Sequence, residues 1–423
     1  MTFSLESDWW PKILNAVRRR DWPQARRVAM DATGVEPSDA RPWLALAVVA
    51  RAMGDRVTAR HSMDAALDRY VVQVVPAGPR ATRVLVLFPI HIDSIQLDAN
   101  GGFSTGGSVD WQFFLAGRFH QEIVPVQVLS RYPSRIEALR ARNELVVNLI
   151  ADPDSVGSDL QAALGVVSRL GLPVINHPAH VMECGRTSNY VRLRDIEGLT
   201  FPVTWDLEVP RRRAEAVEAL AGAGAKMGYP FLLRPAGWHD GFFLQRIDHP
   251  RQLERAHLAA GGGRYHMIRY HDCRGSDGLY RKIRLFCIAG EWFPRHLLVG
   301  TDWNVRWKGY RDLLLSGKGP SFAAEEESFL RSWPLSLPRR GHAALKELYQ
   351  RVRMDWFGLD CVLSPSGDLL VFEVNPAMSL AANEPSEFLR TMLAFQRPYR
   401  EAIIDATRRL IDDTALGARS QFP

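Results

Sequence analysis

The sequence predicts an α/β fold with α+β parts: helical repeats, then a Rossmann-like parallel-sheet domain, then a longer body of antiparallel strands and helices. Three observations carry this. Residues 5–70 space their apolar side chains three to four apart, the period of packed helices. Between 80 and 185, short apolar runs alternate with helical stretches, as buried parallel strands do. From Gly185 onward, strand-like runs follow one another directly and end in a hairpin over 356–375.

At 423 residues and 47.7 kDa the chain is too long for one simple core, which predicts two to four domains. Its 46% hydrophobic and 24% charged residues fit a soluble globular protein and exclude a disordered or fibrous one. The longest apolar runs, such as Trp43–Ala50, fall far short of the roughly 18 residues that span a bilayer. The first eight residues show no signal-peptide pattern, so no membrane partner is expected. Cys184, Cys273, Cys287 and Cys361 lie far apart without a CxxC pair. They suit a reduced, cytoplasmic protein and argue against a disulfide framework or a zinc site.

The net charge is +6, built from 47 arginines and six lysines spread along the chain. A nucleic-acid surface needs clustered charge. The tight runs, Arg18–Arg20 and Arg211–Arg213, sit beside acids or Ala-rich helical sequence and read as solvated helix faces. No nucleic-acid partner is expected.

Residues 1–72 read as four short helices broken near Asp21–Pro23, Gly34–Pro42 and Gly54–Asp55. A shift of 34 residues superposes Trp9 on Trp43, Ala16 on Ala50, Asp21 on Asp55, Ala25 on Ala59, Arg26 on Arg60 and Ala32 on Ala66. This period resembles the tetratricopeptide repeat. Two such units are few for a free solenoid, which leaves open a protein or peptide partner, a packing appendage and a homodimer contact.

Pro76–Pro79 reads as a linker. The apolar run Arg83–Pro89 is the first strand of a βαβαβ unit over about 80–185. A loop with Gly101–Gly102 and Gly106–Gly107 follows, then a helix from Ser108 to Phe119 and a strand over Glu122–Leu129. Next come a helix over Pro133–Arg140, a strand over Glu144–Ile150, a helix over Ser158–Leu170 and a strand over Pro173–Ile175. No GxGxxG opens the first helix, so a dinucleotide site is not expected there. In the body, strands are expected over Phe231–Arg234, Phe242–Arg246, His266–His271, Arg281–Ile288 and Glu291–Val299, helix over Phe322–Gln350 and a helical tail over Glu387–Leu416.

The strongest chemical signal is the hairpin Gly358–Pro376, GLDCVLSPSGDLLVFEVNP. A four-residue loop, Pro365–Asp368, pairs Ser364 with Leu369 and so sets Asp360 opposite Glu373. Asn375, two positions on, shares that face, while Phe372 falls on the apolar one. Like charges directly opposite destabilise a sheet, so this register calls for a cation. Carboxylates and an amide oxygen are hard donors of the kind Mg²⁺ takes alongside nucleotide phosphates. The competing reading is an exposed acidic hairpin with ordinary salt bridges.

On these residues the sequence resembles the ATP-grasp superfamily. Gly358-Leu359-Asp360 and Glu373-Val374-Asn375-Pro376 look like its terminal metal-binding motif. Asn176-His177-Pro178 is similar to the end of the first domain in the glutathione-synthetase and RimK-like branch. Pro230–Pro235, followed by His239-Asp240-Gly241, resembles the strand and glycine loop of the small lobe. The resemblance covers about residues 80–395. It implies a pre-ATP-grasp domain over 80–185, a two-lobed ATP-grasp domain over 186–395 and a helical tail over 396–423.

The resemblance implies ATP as a cofactor and one or two Mg²⁺ ions, or Mn²⁺, on Asp360, Glu373 and Asn375. Arg234 stands where the family usually has a phosphate-contacting Lys; a guanidinium can hold phosphate bidentately. The hinge strand beneath adenine would be His266–Asp272. Arg269 stands where an acid often binds ribose, leaving Asp272 as the nearby acid. Lys282 and Arg284 alternate on one strand face and match the basic pair that holds the γ-phosphate and the acyl phosphate. Arg234 as a surface ion pair, Lys282 as a solvated strand residue and Arg284 paired with Glu291 are the structural alternatives. Trp303 and Trp307 are left as core or substrate wall, and His239 is given no role.

The activity implied is that of an ATP-dependent ligase joining a small-molecule carboxylate to an amine through an acyl phosphate, releasing ADP and phosphate. Two alternatives stand beside it: a kinase of a small hydroxylated substrate, and a nucleotide sensor whose repeats bind a partner.

Overall fold

Four helices open the chain: α1 (Trp9–Arg18), α2 (Trp22–Val35), α3 (Ala40–Ala52) and α4 (Arg56–Asp68). The structure is a computed structural model and describes residues 8–93, 95–97, 103–106, 111–238, 241, 243–258, 262–364, 367–380 and 386–421. Asp21 and Asp55 cap α2 and α4. Each carboxylate accepts the backbone N–H three residues on, from Gln24 and Thr58, at 3.0 Å. Such caps satisfy amides that a helix start leaves unpaired. Ala25 and Ala59, like Ala32 and Ala66, are buried at matching helix contacts. The 34-residue self-match therefore repeats a cap and its packing positions.

These helices share a compact unit with the sheet that follows: Met1–Ala151, Val156–Ala179 and Thr414–Pro423. Arg131 reaches Asp64 and Asp68, and Arg135 donates to the Tyr70 carbonyl. Arg51 donates to the carbonyls of Ile92 and Ile95, and Trp10 meets Phe103 edge-on with centroids 5.0 Å apart. The sheet holds β1 (Gln73–Val75), β2 (Arg83–Phe88), β3 (His120–Pro125), β4 (Leu145–Asn148) and β5 (Val174–Ile175). Its order is β1-β3-β2-β4-β5, all parallel except β1, which runs antiparallel to β3. Val84–Phe88 are all buried, which explains why β2 is continuously apolar. The strand expected over Glu122–Leu129 stops at Pro125, which has no N–H for the ladder, and Val126–Arg131 is helical. Gly101–Gly102, Gly107 and the start of the helix expected from Ser108 lie outside the described residues.

The second unit comprises Asp152–Ser155 and His180–Asp413 and has two sheets. In chain order its first strands are β6 (Leu199–Thr200), β7 (Thr204–Val209), β8 (Phe231–Pro235), β9 (Gln245–Ile247) and β10 (Gly263–Arg269). Strands β9-β8-β10-β7 form an antiparallel sheet. The helix Arg213–Met227 packs Ala216, Leu220 and Met227 with Phe231, Leu233, Tyr265 and Met267 in one buried cluster. Strand β7 is not among the expected strands, although TWDLEV alternates polar and apolar residues as a half-buried strand does. The helix opens at the end of the Arg211–Arg213 run, whose Ala-rich flank reads as helical in the sequence. The expected strand Phe242–Arg246 starts at Gln245, and Phe242 lies outside the described residues.

The larger sheet adds β11 (Tyr280–Ile288), β12 (Glu291–Gly300), β13 (Trp356–Leu363) and β14 (Leu369–Asn375), in the order β12-β11-β13-β14-β6. Its pairs are antiparallel except β14 with β6. The helix expected over Phe322–Gln350 is two, Gly319–Ser332 and Arg339–Val352, because Pro334 and Pro338 cannot continue the backbone ladder. The architecture is thus α/β with α+β: a helical segment and a mostly parallel sheet, then a two-lobed body. All four cysteines are free thiols. Among the described residues no helix is long and apolar enough to cross a membrane.

Candidate active site

The β13–β14 hairpin sets Asp360 opposite Glu373 by a route the sequence does not reveal. At the tip Leu363 pairs with Leu369, one residue away from the expected Ser364 pairing, and Cys361 pairs with Val371. Phe372 is then an extra residue, a β-bulge, and beyond it Asp360 pairs with Glu373 and Gly358 with Asn375. A bulge re-aims its side chains. Phe372 consequently lines the cleft with Glu373, where the strict alternation of an unbulged strand placed it on the opposite, apolar face. Gly358 is required by contact: a Cβ there would lie 2.3 Å from Met378 Cγ.

Strand β11 pairs Arg284 with Asp360 directly. Arg284 Nε donates to Asp360 Oδ1 at 2.7 Å and Nη2 to Oδ2 at 2.9 Å, while Lys282 Nζ stands 3.2 Å from Oδ2. Burial would raise the Asp360 pKa. Arg284 and Lys282 outweigh it and hold the carboxyl well below the usual carboxylate range. The carboxylate that pairs with Arg284 is therefore Asp360 and not Glu291, which lies across from Ile288 at the turn between β11 and β12. His296 faces Arg284 from β12; burial, then the Arg284 charge, pushes the imidazole well below its ordinary pKa, so it is neutral.

Glu373 is held from the other side. Arg186 Nη2 donates to its Oε1 at 2.6 Å and Asn375 Nδ2 to the same oxygen at 3.1 Å. Asn375 Oδ1 accepts the Ala377 N–H at 2.6 Å. Arg186 opens the helix α5 (Arg186–Leu193), whose next residue, Thr187, donates to Asp206 of β7 at 2.6 Å. The first turn of α5 thus reaches both sheets. Sequence reasoning misses Arg186; its only local signal is a helix start after Gly185.

Arg234 lies on β8 and is 4% exposed, yet among the described residues its Nε and Nη2 have no hydrogen-bond partner. Burial, reinforced by the nearby Arg186 charge, brings the guanidinium down to about 9. Opposite it on β10, His266 Nδ1 meets Asp206 at 2.7 Å and Nε2 meets Asp154 at 3.2 Å. Burial opposes a charge on His266, but the two carboxylates prevail and raise its pKa.

Several of these side chains border one cleft. Arg186, Arg234, Lys282, Asp360 and Glu373 line its polar end, and Leu232, Leu244, Ile268, Leu370, Phe372 and Trp303 its apolar walls. Arg269 also lines it and donates to the Met227 carbonyl. Arg284 joins through Asp360, and Asn375 through Glu373. Asp272 is not brought in: it is exposed and bound by Arg274, with a shortest contact of 2.5 Å. Trp307 packs edge-on against Tyr310, centroids 6.0 Å apart. Gly241 takes φ +68° beside Asn304, a conformation that favours glycine; His239 and Asp240 lie outside the described residues.

Among the described residues no three His, Cys, Asp or Glu side chains converge as a metal-ligand group. The donors present, two carboxylates and the Asn375 amide on adjoining strands, are hard oxygens. They suit Mg²⁺ when phosphate oxygens and water complete its shell.

The sequence matches no protein-family model and no curated protein. Solved structures do resemble the chain. The D-alanyl-alanine synthetase A of Vibrio cholerae is 11% identical, covers 80% of this chain and all of its own, and gives a TM-score of 0.45. The VanG D-Ala:D-Ser ligase of Enterococcus faecalis is 12% identical over 78% of this chain and 100% of its own, with a TM-score of 0.41. A RimK domain ATP-grasp protein of Sphaerobacter thermophilus is 15% identical over 79% and 100%, with a TM-score of 0.38. At such identities and scores these are distant likenesses.

Proposed function

We propose that this chain is an ATP-grasp-type, ATP-dependent carboxylate–amine ligase that works through an acyl phosphate. The observation that carries the reading is Arg234: a buried guanidinium with two unpartnered nitrogens, at the polar end of an apolar-walled cleft. An unpaired buried charge is costly, so such a group calls for an anion. A fork-shaped donor suits a phosphate, and the apolar walls suit a flat base.

In this reading Leu232, Ile268, Leu370 and Phe372 hold adenine, with Arg269 at the ribose side. Arg234 and Lys282 hold the phosphates. Asp360, Glu373 and Asn375 would hold one or two Mg²⁺ ions, or Mn²⁺, which when bound supply charge neutralisation of the phosphates. A substrate carboxylate oxygen attacks the γ-phosphorus; the bond from that phosphorus to the β–γ bridging oxygen breaks, and ADP leaves. Arg284 follows the transferring oxygens with its planar fork. A substrate amine then attacks the acyl carbon, phosphate departs and the nitrogen loses a proton, leaving an amide. The walls limit access of water, which would otherwise hydrolyse the acyl phosphate.

The test is a panel of amino acids and small carboxylates, assayed with MgATP for amine-dependent release of phosphate. An amide with ADP and phosphate is the expected result. A phosphoester with ADP would assign a kinase instead, and nucleotide binding without turnover a sensor.

A further inference from the structure

We infer that Arg186 is a positioning residue that withholds Glu373 from divalent metal until polyphosphate draws it away, so that metal and nucleotide bind this cleft together. The inference rests on the nucleotide reading above and adds to it a residue and an order of binding.

Four cations, Arg186, Arg234, Lys282 and Arg284, stand around two carboxylates, Asp360 and Glu373. Both Asp360 oxygens receive Arg284, and one also receives Lys282. Glu373 Oε1 receives Arg186 and Asn375, and the Asn375 oxygen is taken by the Ala377 amide. A bare divalent cation therefore meets an excess of positive charge and donors already engaged. A polyphosphate meets the opposite: Arg234 offers two unpartnered nitrogens, and Arg186 presses on it with like charge. Phosphate between Arg186 and Arg234 would relieve that repulsion and compete for the Arg186 guanidinium. Glu373 would then be open to metal.

Arg186 is placed for such a move because its backbone is fixed while its guanidinium lines the cleft with both Glu373 and Arg234. Thr187 ties the first turn of α5 to Asp206, and Asn189 Nδ2 donates to the carbonyls of Cys184 and Val374. Val374 is the neighbour of Glu373. The helix start is thus anchored beside both groups between which the guanidinium would choose.

The experiment measures Mn²⁺ binding by loss of the free-ion electron paramagnetic resonance signal, on the full chain, with and without a non-hydrolysable ATP analogue. Nucleotide binding in EDTA is titrated on the same preparations. Arg186→Met should bind Mn²⁺ without nucleotide about tenfold or more tightly than the parent, the effect of removing one close, partly screened charge. It should also bind the analogue more weakly in EDTA. Arg186→Lys keeps the charge and should keep most of the block. Unchanged nucleotide-free Mn²⁺ affinity in a folded Arg186→Met protein overturns the inference. Failure of the parent to bind the analogue, with or without Mn²⁺, overturns instead the nucleotide reading. The nucleotide-free Mn²⁺ comparison still decides whether Arg186 blocks Glu373.

Discussion

Arg284 and Asp360 face each other on neighbouring strands and share a two-point contact, Nε to Oδ1 at 2.7 Å and Nη2 to Oδ2 at 2.9 Å. The pair links a group that would follow the phosphoryl oxygens to a group that would hold the metal. Arg284→Lys keeps the charge and loses the fork. Turnover should fall on the order of 10²-fold, with ATP affinity changed much less, because the fork would engage the phosphoryl oxygens as they transfer and not in the bound ATP. Near-normal kcat with a lowered melting temperature would make Arg284 a structural partner of Asp360 alone.

The two carboxylates should respond differently to neutralisation. Glu373→Gln should abolish turnover with little loss of stability, since Glu373 is half-buried and its partner Arg186 remains partly solvated. Asp360→Asn should also abolish turnover, but it strands two cations beside a buried position. It should cost about 3 kcal/mol of stability, the scale of breaking a buried pair. Steady-state kinetics and denaturant melts on both proteins check this.

Much of this was open to reading from sequence, and the failures have physical causes. The opposition of Asp360 and Glu373 is expected from the loop length, but the tip pairs one residue off that expectation and a bulge at Phe372 restores the register. A bulge adds one residue without a sequence mark, so the wall position of Phe372 stayed hidden. Lys282 and Arg284 were legible as a same-face pair; their engagement of Asp360 depends on which strand lies alongside, a long-range fact. Arg186 was invisible because its importance comes from Glu373, 187 residues away. Asp272 was legible as an acid but not as one bound by Arg274, two residues on.

A buried acid remote from the cleft sets a pH dependence. Glu326 is fully buried, accepts hydrogen bonds from Tyr310 and Gln396, and is raised by burial from 4.5 to about 7. Between these values the folded chain binds more protons than the unfolded one, so stability falls as pH rises. The loss is about 3 kcal/mol once pH passes 7. Glu326→Gln is neutral throughout and should flatten the fall in melting temperature between pH 5 and pH 8. Equal slopes in the two proteins would contradict the assignment.

The helical segment should not be removable at the linker. A chain starting at Ala77 lacks β1, which leaves the edge of β3 uncovered, and deprives Arg131, Arg135 and Phe103 of their contacts with Asp64, Asp68, Tyr70 and Trp10. It should aggregate on size-exclusion chromatography. A monomeric peak with an unchanged melting temperature would show that residues 1–76 are dispensable.

The most direct test of acyl-phosphate chemistry follows an atom. With a carboxylate substrate from the panel labelled with ¹⁸O in both carboxyl oxygens, attack on the γ-phosphorus carries one label into the phosphate released when the amine arrives. ³¹P NMR should therefore show one ¹⁸O in each phosphate formed, with ADP as the nucleotide product. Unlabelled phosphate, or AMP with pyrophosphate, would contradict the account.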